Sequence, residues 1–141
     1  MKNIYVDGAC SGNSASNGIA EYRIVGDDKV TEIYRSRKFR GTNNIAEYLA
    51  LCHAILLMNR DFPNEKFTIW SDSVTAIAWL RDEPKSAMTL NDDTAWTINQ
   101  VWKAHKSIKN SHNMNCRVEK WDTKTRGEIP ADFGNKKGKK K

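Results

Sequence analysis

Four carboxylates in this chain, Asp7, Glu47, Asp72 and Asp132, stand where carboxylates could do chemistry. Asp7 closes the run Ile4-Tyr5-Val6 and Asp72 closes Phe67-Thr68-Ile69-Trp70-Ser71, so each is expected at the carboxyl end of a strand. Glu47 falls early in a helical pattern between those strands, and Asp132 follows the last strand. If the first and fourth strands are neighbours, Asp7 and Asp72 sit side by side. Two carboxylates that close repel, and one stays protonated unless a cation lies between them. Oxygen ligands with no His or Cys among them suit Mg²⁺ or Mn²⁺. Four such groups could hold two ions about 3.5–4 Å apart, the arrangement for in-line phosphoryl displacement. One ion then activates water and the other stabilises the leaving oxygen. The same acids have an ordinary reading as well. Strand-end aspartates favour turns, and a glutamate in the first turn of a helix complements its dipole. Spacing alone leaves both readings open.

The positioning elements follow from periodicity. Asn3 to Asp7 reads as a first strand with Ile4 and Val6 on one face. Gly8 to Gly18 is rich in glycine and small residues, which lets backbone or ligand approach closely. Ile19 to Val25 and Val30 to Phe39 are the second and third strands, joined by the turn Gly26-Asp27-Asp28. Glu32, Arg35, Arg37 and Lys38 mark the third as an edge. Thr42-Asn43-Asn44 opens a helix over Asn43 to Met58, with Asn43 or Asn44 as its N-cap and Glu47 in its first turn. Ile45, Leu49, Cys52 and Leu56 give it an apolar stripe, which Tyr48, Leu51 and Ile55 widen. A strand over Lys66 to Ser71 follows, then a helix from about Ser73 to Leu80 that Pro84 ends. A further helix runs from Asp92 to about Lys109, with Ile98, Val101, Trp102, His105 and Ile108 as its stripe. A strand over Cys116 to Trp121, a polar loop over Thr123 to Gly127 and a short terminal helix complete the chain. That order implies one mixed sheet with helices packed on it. Sites in such sheets lie at the carboxyl ends of parallel strands, near the switch point.

At 141 residues, 39% hydrophobic and 28% charged, the chain has the make-up of a single soluble domain with a real core. No apolar run approaches the roughly 18 residues that span a membrane, and Met1-Lys2-Asn3 leads straight into a strand without a signal-peptide core. Cys10, Cys52 and Cys116 are odd in number and lack CxxC spacing, which favours a reducing cytoplasm and argues against structural zinc. The net charge is +6, and Lys136, Lys137, Lys139, Lys140 and Lys141 carry most of it; without them about +1 remains. The tail, expected to be disordered, either binds a polyanion or simply solubilises.

The motifs then converge on a family. Ile4-Tyr5-Val6-Asp7-Gly8 with Gly12-Asn13 resembles the first motif of type 1 ribonucleases H, Thr42-Asn43-Asn44 with Glu47 the second, and Trp70-Ser71-Asp72-Ser73 the third. The ending Lys120 to Lys124, then Gly127 to Gly134, is similar to a Bacillus-type subgroup of bacterial ribonuclease HI. The resemblance covers Ile4 to Lys136, with a catalytic domain expected over 1–135 and a basic tail over 136–141. It implies an α/β ribonuclease H-like fold: a five-stranded mixed sheet, order 3-2-1-4-5, with helices on both faces. It implies hydrolysis of the RNA strand of RNA–DNA hybrids, leaving 5′-phosphate and 3′-hydroxyl ends; a cytoplasmic monomer is expected. By the same resemblance Asp7, Glu47, Asp72 and Asp132 bind two Mg²⁺ ions, with Mn²⁺ able to substitute, and Asp7 bridges them. Glu128 corresponds to the subgroup's auxiliary glutamate on the leaving-group side.

Recognition of the RNA strand needs contacts to the 2′-hydroxyl, the group that tells RNA from DNA. Gly8, Gly12, Asn13 and Asn44 match the family's positions for this. Thr42 and Asn43 match positions that contact nucleic acid, Thr42 at a phosphate of the DNA strand, with Ser86 and Thr89 completing that pocket. Ser73, Thr123 and Lys124 are the remaining expected substrate contacts. The ordinary readings are a turn for Asn13 and a cap for Asn44. The chain departs from many relatives in having Asp122-Thr123-Lys124-Thr125 where they carry a loop histidine, leaving Lys124 or Glu128 to substitute. His53, His105 and His112 read as structural. The five tryptophans read mainly as packing, with Trp121 beside the active-site loop. The basic handle insertion of some relatives is absent, since Arg81 to Asn91 is too short, and a catalytic domain without the N-terminal hybrid-binding domain of longer relatives is expected. A recognition module without catalysis, or a junction resolvase or DNA nuclease, are the alternatives on the same fold.

Overall fold

Alternation in the first strand sets up a sheet that must be covered on both sides. The computed structural model describes residues 2–11, 18–85, 90–111 and 115–133. Gly12, Asn13, Ser86, Thr89, His112 and the basic tail lie outside them. In chain order the elements are β1 (Lys2–Ser11), β2 (Ile19–Val25), β3 (Glu32–Arg35), β4 (Phe39–Arg40), α1 (Asn43–Asp61), β5 (Phe67–Ser71), α2 (Val74–Arg81), α3 (Ala95–Lys109), β6 (Cys116–Lys120) and α4 (Thr123–Arg126). The strands form one mixed sheet in the order β3-β2-β1-β5-β6, with β4 also paired to β2. β1 is antiparallel to β2 and parallel to β5, and β5 is parallel to β6. This is the expected order of five strands and the ribonuclease H-like fold.

Ile4 and Val6 face a large core shared with α1, α2 and α3. Tyr5 faces a second core with Val25, Trp121, Ile129 and Ala131, under the C-terminal segment that includes α4. The Tyr5 and Trp121 rings meet edge to face at 5.8 Å. α1 is buried nearly all round from Ile45 to Cys52, not along one stripe, because it packs on β1 and β2 and is flanked by α2 and α3.

Several expectations need correction. β1 does not stop at Asp7; its pairing with β2 continues to Ser11↔Ile19, and only the parallel ladder with β5 stops early, at Tyr5↔Trp70. The third strand is broken into β3 and β4. Ser36 interrupts it, its hydroxyl accepting from the Tyr22 N–H at 2.9 Å where a ladder carbonyl would stand. The N-cap of α1 is Thr42, whose Oγ1 accepts from Ile45 N at 3.2 Å, so Asn43 and Asn44 fall inside the helix and Glu47 lies beyond its first turn. α3 starts at Ala95, after a turn in which Asn91 Oδ1 accepts from Asp93 N and Thr94 N. Trp102 is 49% exposed, being off the line of Thr97, Val101 and Ile108 that meets the core, while Trp121 is core. The expected loop after β6 contains the one-turn α4, capped by Asp122, whose Oδ1 accepts from Lys124 N. Asp132 lies in a turn, its N–H donating to Ile129 O at 2.9 Å, not in a helix.

Candidate active site

The β1–β5 register, Lys2↔Phe67 to Tyr5↔Trp70, places Asp7 opposite Asp72 when carried two residues further. Asp72 sits in the short link between β5 and α2. Ser71, fully buried, fixes the link from one side. Its carbonyl accepts from Trp121 N at 2.8 Å and its hydroxyl from Ser73 N at 3.1 Å. Ser73 fixes it from the other as the N-cap of α2, its Oγ accepting from Ala76 N at 3.0 Å. An acid in such a link has little freedom to swing away.

Glu47 reaches the same place from the helix layer. It is buried, so it is no surface partner of the helix dipole, and its Oε1 accepts from Gly8 N at 2.7 Å. That contact depends on glycine. A Cβ on Gly8 would lie 2.7 Å from both Ala46 Cβ and Glu47 N, closer than any real side chain tolerates. Gly8→Ala is therefore expected to push α1 away from β1, costing about 1–3 kcal/mol of stability and displacing Glu47. Thermal melts check the first effect and divalent-ion titration the second; a parent-like Tm would mean that α1 yields freely.

Asp132 comes from the opposite face. Ile129 and Ala131 bury into the second core on either side of Pro130. The next amide, Phe133 N, donates to Asp7 Oδ2 at 3.1 Å, closing the segment onto the central strand. Sheet, helix layer and C-terminal turn thus each send one or more acids to a single cleft. It is lined by Asp7, Glu47, Asp72 and Asp132 with Asn43, Ser73 and Phe133 among others.

Asp7, Glu47 and Asp72 each offer an oxygen within 4.8 Å of the other two. Among the described residues no other such group of His, Cys, Asp or Glu occurs. A larger hollow of about 730 Å³ near β3 and the end of α1 is lined by Ile33, Leu57 and Phe67 and has no such grouping. The electrostatics of the cleft match its geometry. Burial, then the nearby Asp72 carboxylate, pushes Asp7 up to about 7, although the Phe133 N–H works the other way. Burial, then Asp7 and Asp72, also pushes Glu47 up. Buried oxygen ligands that resist ionising together are what a hard divalent cation relieves, and no sulfur or imidazole belongs to the trio. The donor set fits Mg²⁺ or Mn²⁺.

The remaining expected site residues divide. Gly8, Asn43 and Ser73 line the cleft. Thr42 serves as a cap and Asn44 is exposed on the first turn of α1. Glu128, Thr123 and Lys124 are exposed and lie outside the cleft lining. Two contributors are not among the expected site residues: the Phe133 amide, which carries no side-chain signal, and Ser71, whose hydroxyl accepts from Ser73 N.

Residues 1–133 match the family model for RNase H, and the chain belongs to the RNase H family. Solved structures share the fold at low identity. LC11-RNase H1, isolated from compost by a metagenomic approach, is 21% identical, with 89% of this chain and 88% of that chain covered and a TM-score of 0.50. The PFV RNase H domain in solution is 13% identical, with 87% and 81% covered and a TM-score of 0.52. The foamy viral protease–reverse transcriptase in complex with RNA/DNA hybrid is 15% identical, with 89% of this chain and 18% of that chain covered and a TM-score of 0.52.

Proposed function

We propose that this chain is a Mg²⁺-dependent ribonuclease H of the Bacillus-type bacterial subgroup. It cuts the RNA strand of RNA–DNA hybrids internally, leaving 5′-phosphate and 3′-hydroxyl ends, and works as a monomer in the cytoplasm. The observation that carries this reading is the convergence of Asp7, Glu47 and Asp72 from three elements into one cleft, with Asp132 on its wall. Two Mg²⁺ ions, or Mn²⁺ in their place, would supply an activated water and charge stabilisation at the leaving oxygen.

The chain's own residues prepare that chemistry. Asp7 is the central ligand, reached by acids from both sides and steadied by Phe133 N. Asp72 and Asp132 complete the ligand set with Glu47, which Gly8 N orients. The Gly8 amide therefore acts on substrate through Glu47. The 2′-hydroxyl is read by Glu47, Asn44, Asn13 and the Gly12 backbone. Thr42, with Ser86 and Thr89, holds the DNA strand's phosphate, and Asn43, Ser73, Thr123 and Lys124 contact the nucleic acid. Glu128, exposed after Gly127, assists product release. Residues 1–135 form the catalytic unit, and the lysines of 136–141 add salt-sensitive affinity for the polyanion.

Hybrid, duplex DNA and duplex RNA of one sequence, each incubated with Mg²⁺, test the reading. Cutting confined to the hybrid, with fragments a polymerase extends from their 3′ ends, is the expected result. Equal cutting of duplex DNA would make the chain a DNA nuclease, and binding without cutting a recognition module.

A further inference from the structure

We propose that Arg23 is a positioning residue that holds the Asp132 turn against the Asp7 strand; this rests on the ribonuclease reading above. Arg23 is the cross-strand partner of Asp7 in the β1–β2 ladder. From that position its guanidinium crosses to the C-terminal segment. Nε donates to Ala131 O at 2.7 Å and Nη2 to Pro130 O at 3.3 Å. These are the two carbonyls directly before Asp132. On the other side of Asp132, the Phe133 ring lies beneath the same guanidinium at 5.5 Å and beneath that of Arg35 at 5.0 Å. Arg23 therefore holds the chain both before and after the acid. The third nitrogen, Nη1, donates to Glu32 Oε2 at 3.3 Å, which fixes the fork from behind.

The consequence reaches Asp7 as well. Phe133 N is the donor to Asp7 Oδ2, so a turn that drifts loses both the placement of Asp132 and the bond that steadies Asp7. Only a planar, multi-donor group meets two successive carbonyls and a ring face together; lysine keeps the charge and loses the fork. The competing account is that burial of Ile129 and Ala131 fixes the turn unaided, leaving Arg23 as surface decoration.

Arg23→Ala and Arg23→Lys separate the two. In the metal-free protein, the Phe133 amide is expected to exchange with solvent about tenfold faster or more in both variants, while the amides of Ile4 and Ile69 keep their protection. Mn²⁺ affinity, read by electron paramagnetic resonance, is expected to fall about 10- to 100-fold, and kcat likewise, with KM for hybrid nearly unchanged. Parent-like Phe133 exchange and Mn²⁺ affinity in Arg23→Ala would overturn the proposal. So would full recovery in Arg23→Lys, because charge and not the fork would then suffice. If the Ala variant unfolds, the Lys variant carries the same readouts. Exchange and Mn²⁺ binding decide the role of Arg23 even if the parent does not cut hybrid, so the two readings fail separately.

Discussion

Asp72→Asn is expected to leave the fold and hybrid binding intact and to lower hybrid cleavage at least about a thousandfold, the effect of losing roughly 4 kcal/mol of metal-borne stabilisation. The fold survives because Asp72 is not part of either core and its link is held by its neighbours, through Ser71 Oγ and the Ser73 cap. Asparagine has the same shape, and removing one of three crowded carboxylates relieves repulsion. What it loses is a negative oxygen ligand. Single-turnover cleavage with Mg²⁺, beside a gel shift without metal, measures the two parts independently. A variant within tenfold of the parent would remove Asp72 from the reaction.

Asp7→Asn is expected to make the metal-free protein more stable at pH 8, by on the order of 2 kcal/mol or about 5–10 °C in Tm. In the folded chain, burial and then Asp72 hold Asp7 up to about 7, against an ordinary value of 3.8. The folded state therefore binds the proton more tightly than the unfolded chain. That contribution is fully present below about pH 4 and is lost as pH rises through about 7. At pH 8 the parent carries ionised carboxylates forced together, whereas asparagine stays neutral and still accepts from Phe133 N. At pH 4 the parent and variant should melt alike. Mg²⁺ reverses the order: it should raise the Tm of the parent at pH 8 and release protons as it binds, and do little for the variant. Melts at the two pH values, with and without Mg²⁺, check each sign; an Asp7→Asn protein less stable than the parent at pH 8 would contradict the crowding.

The strands and the four acids were legible because the signals are local. Ile4, Tyr5 and Val6 alternate between two cores, and buried polar residues at the ends of such runs stand out. Gly8 was legible as a site of close approach, though not what approaches it, since Ala46 is distant in sequence. The errors arose where side chains compete with backbone. Ser36 takes a ladder position and breaks the third strand, and Thr42 captures the cap one residue before the asparagines. Trp102 was misplaced because α3 meets the core along a narrow line, which a sequence stripe overstates. The hold of Arg23 on the turn at 130–131 was not legible at all. It spans 108 residues to Ala131 and ends on carbonyls, which no sequence pattern marks.

The most direct test of the account uses an RNA–DNA hybrid labelled on either strand, incubated with the parent chain in Mg²⁺ or in EDTA. The account predicts internal cuts in the RNA strand alone, present with Mg²⁺ and abolished by EDTA. Cuts in the DNA strand, or RNA cutting that persists in EDTA, would contradict it.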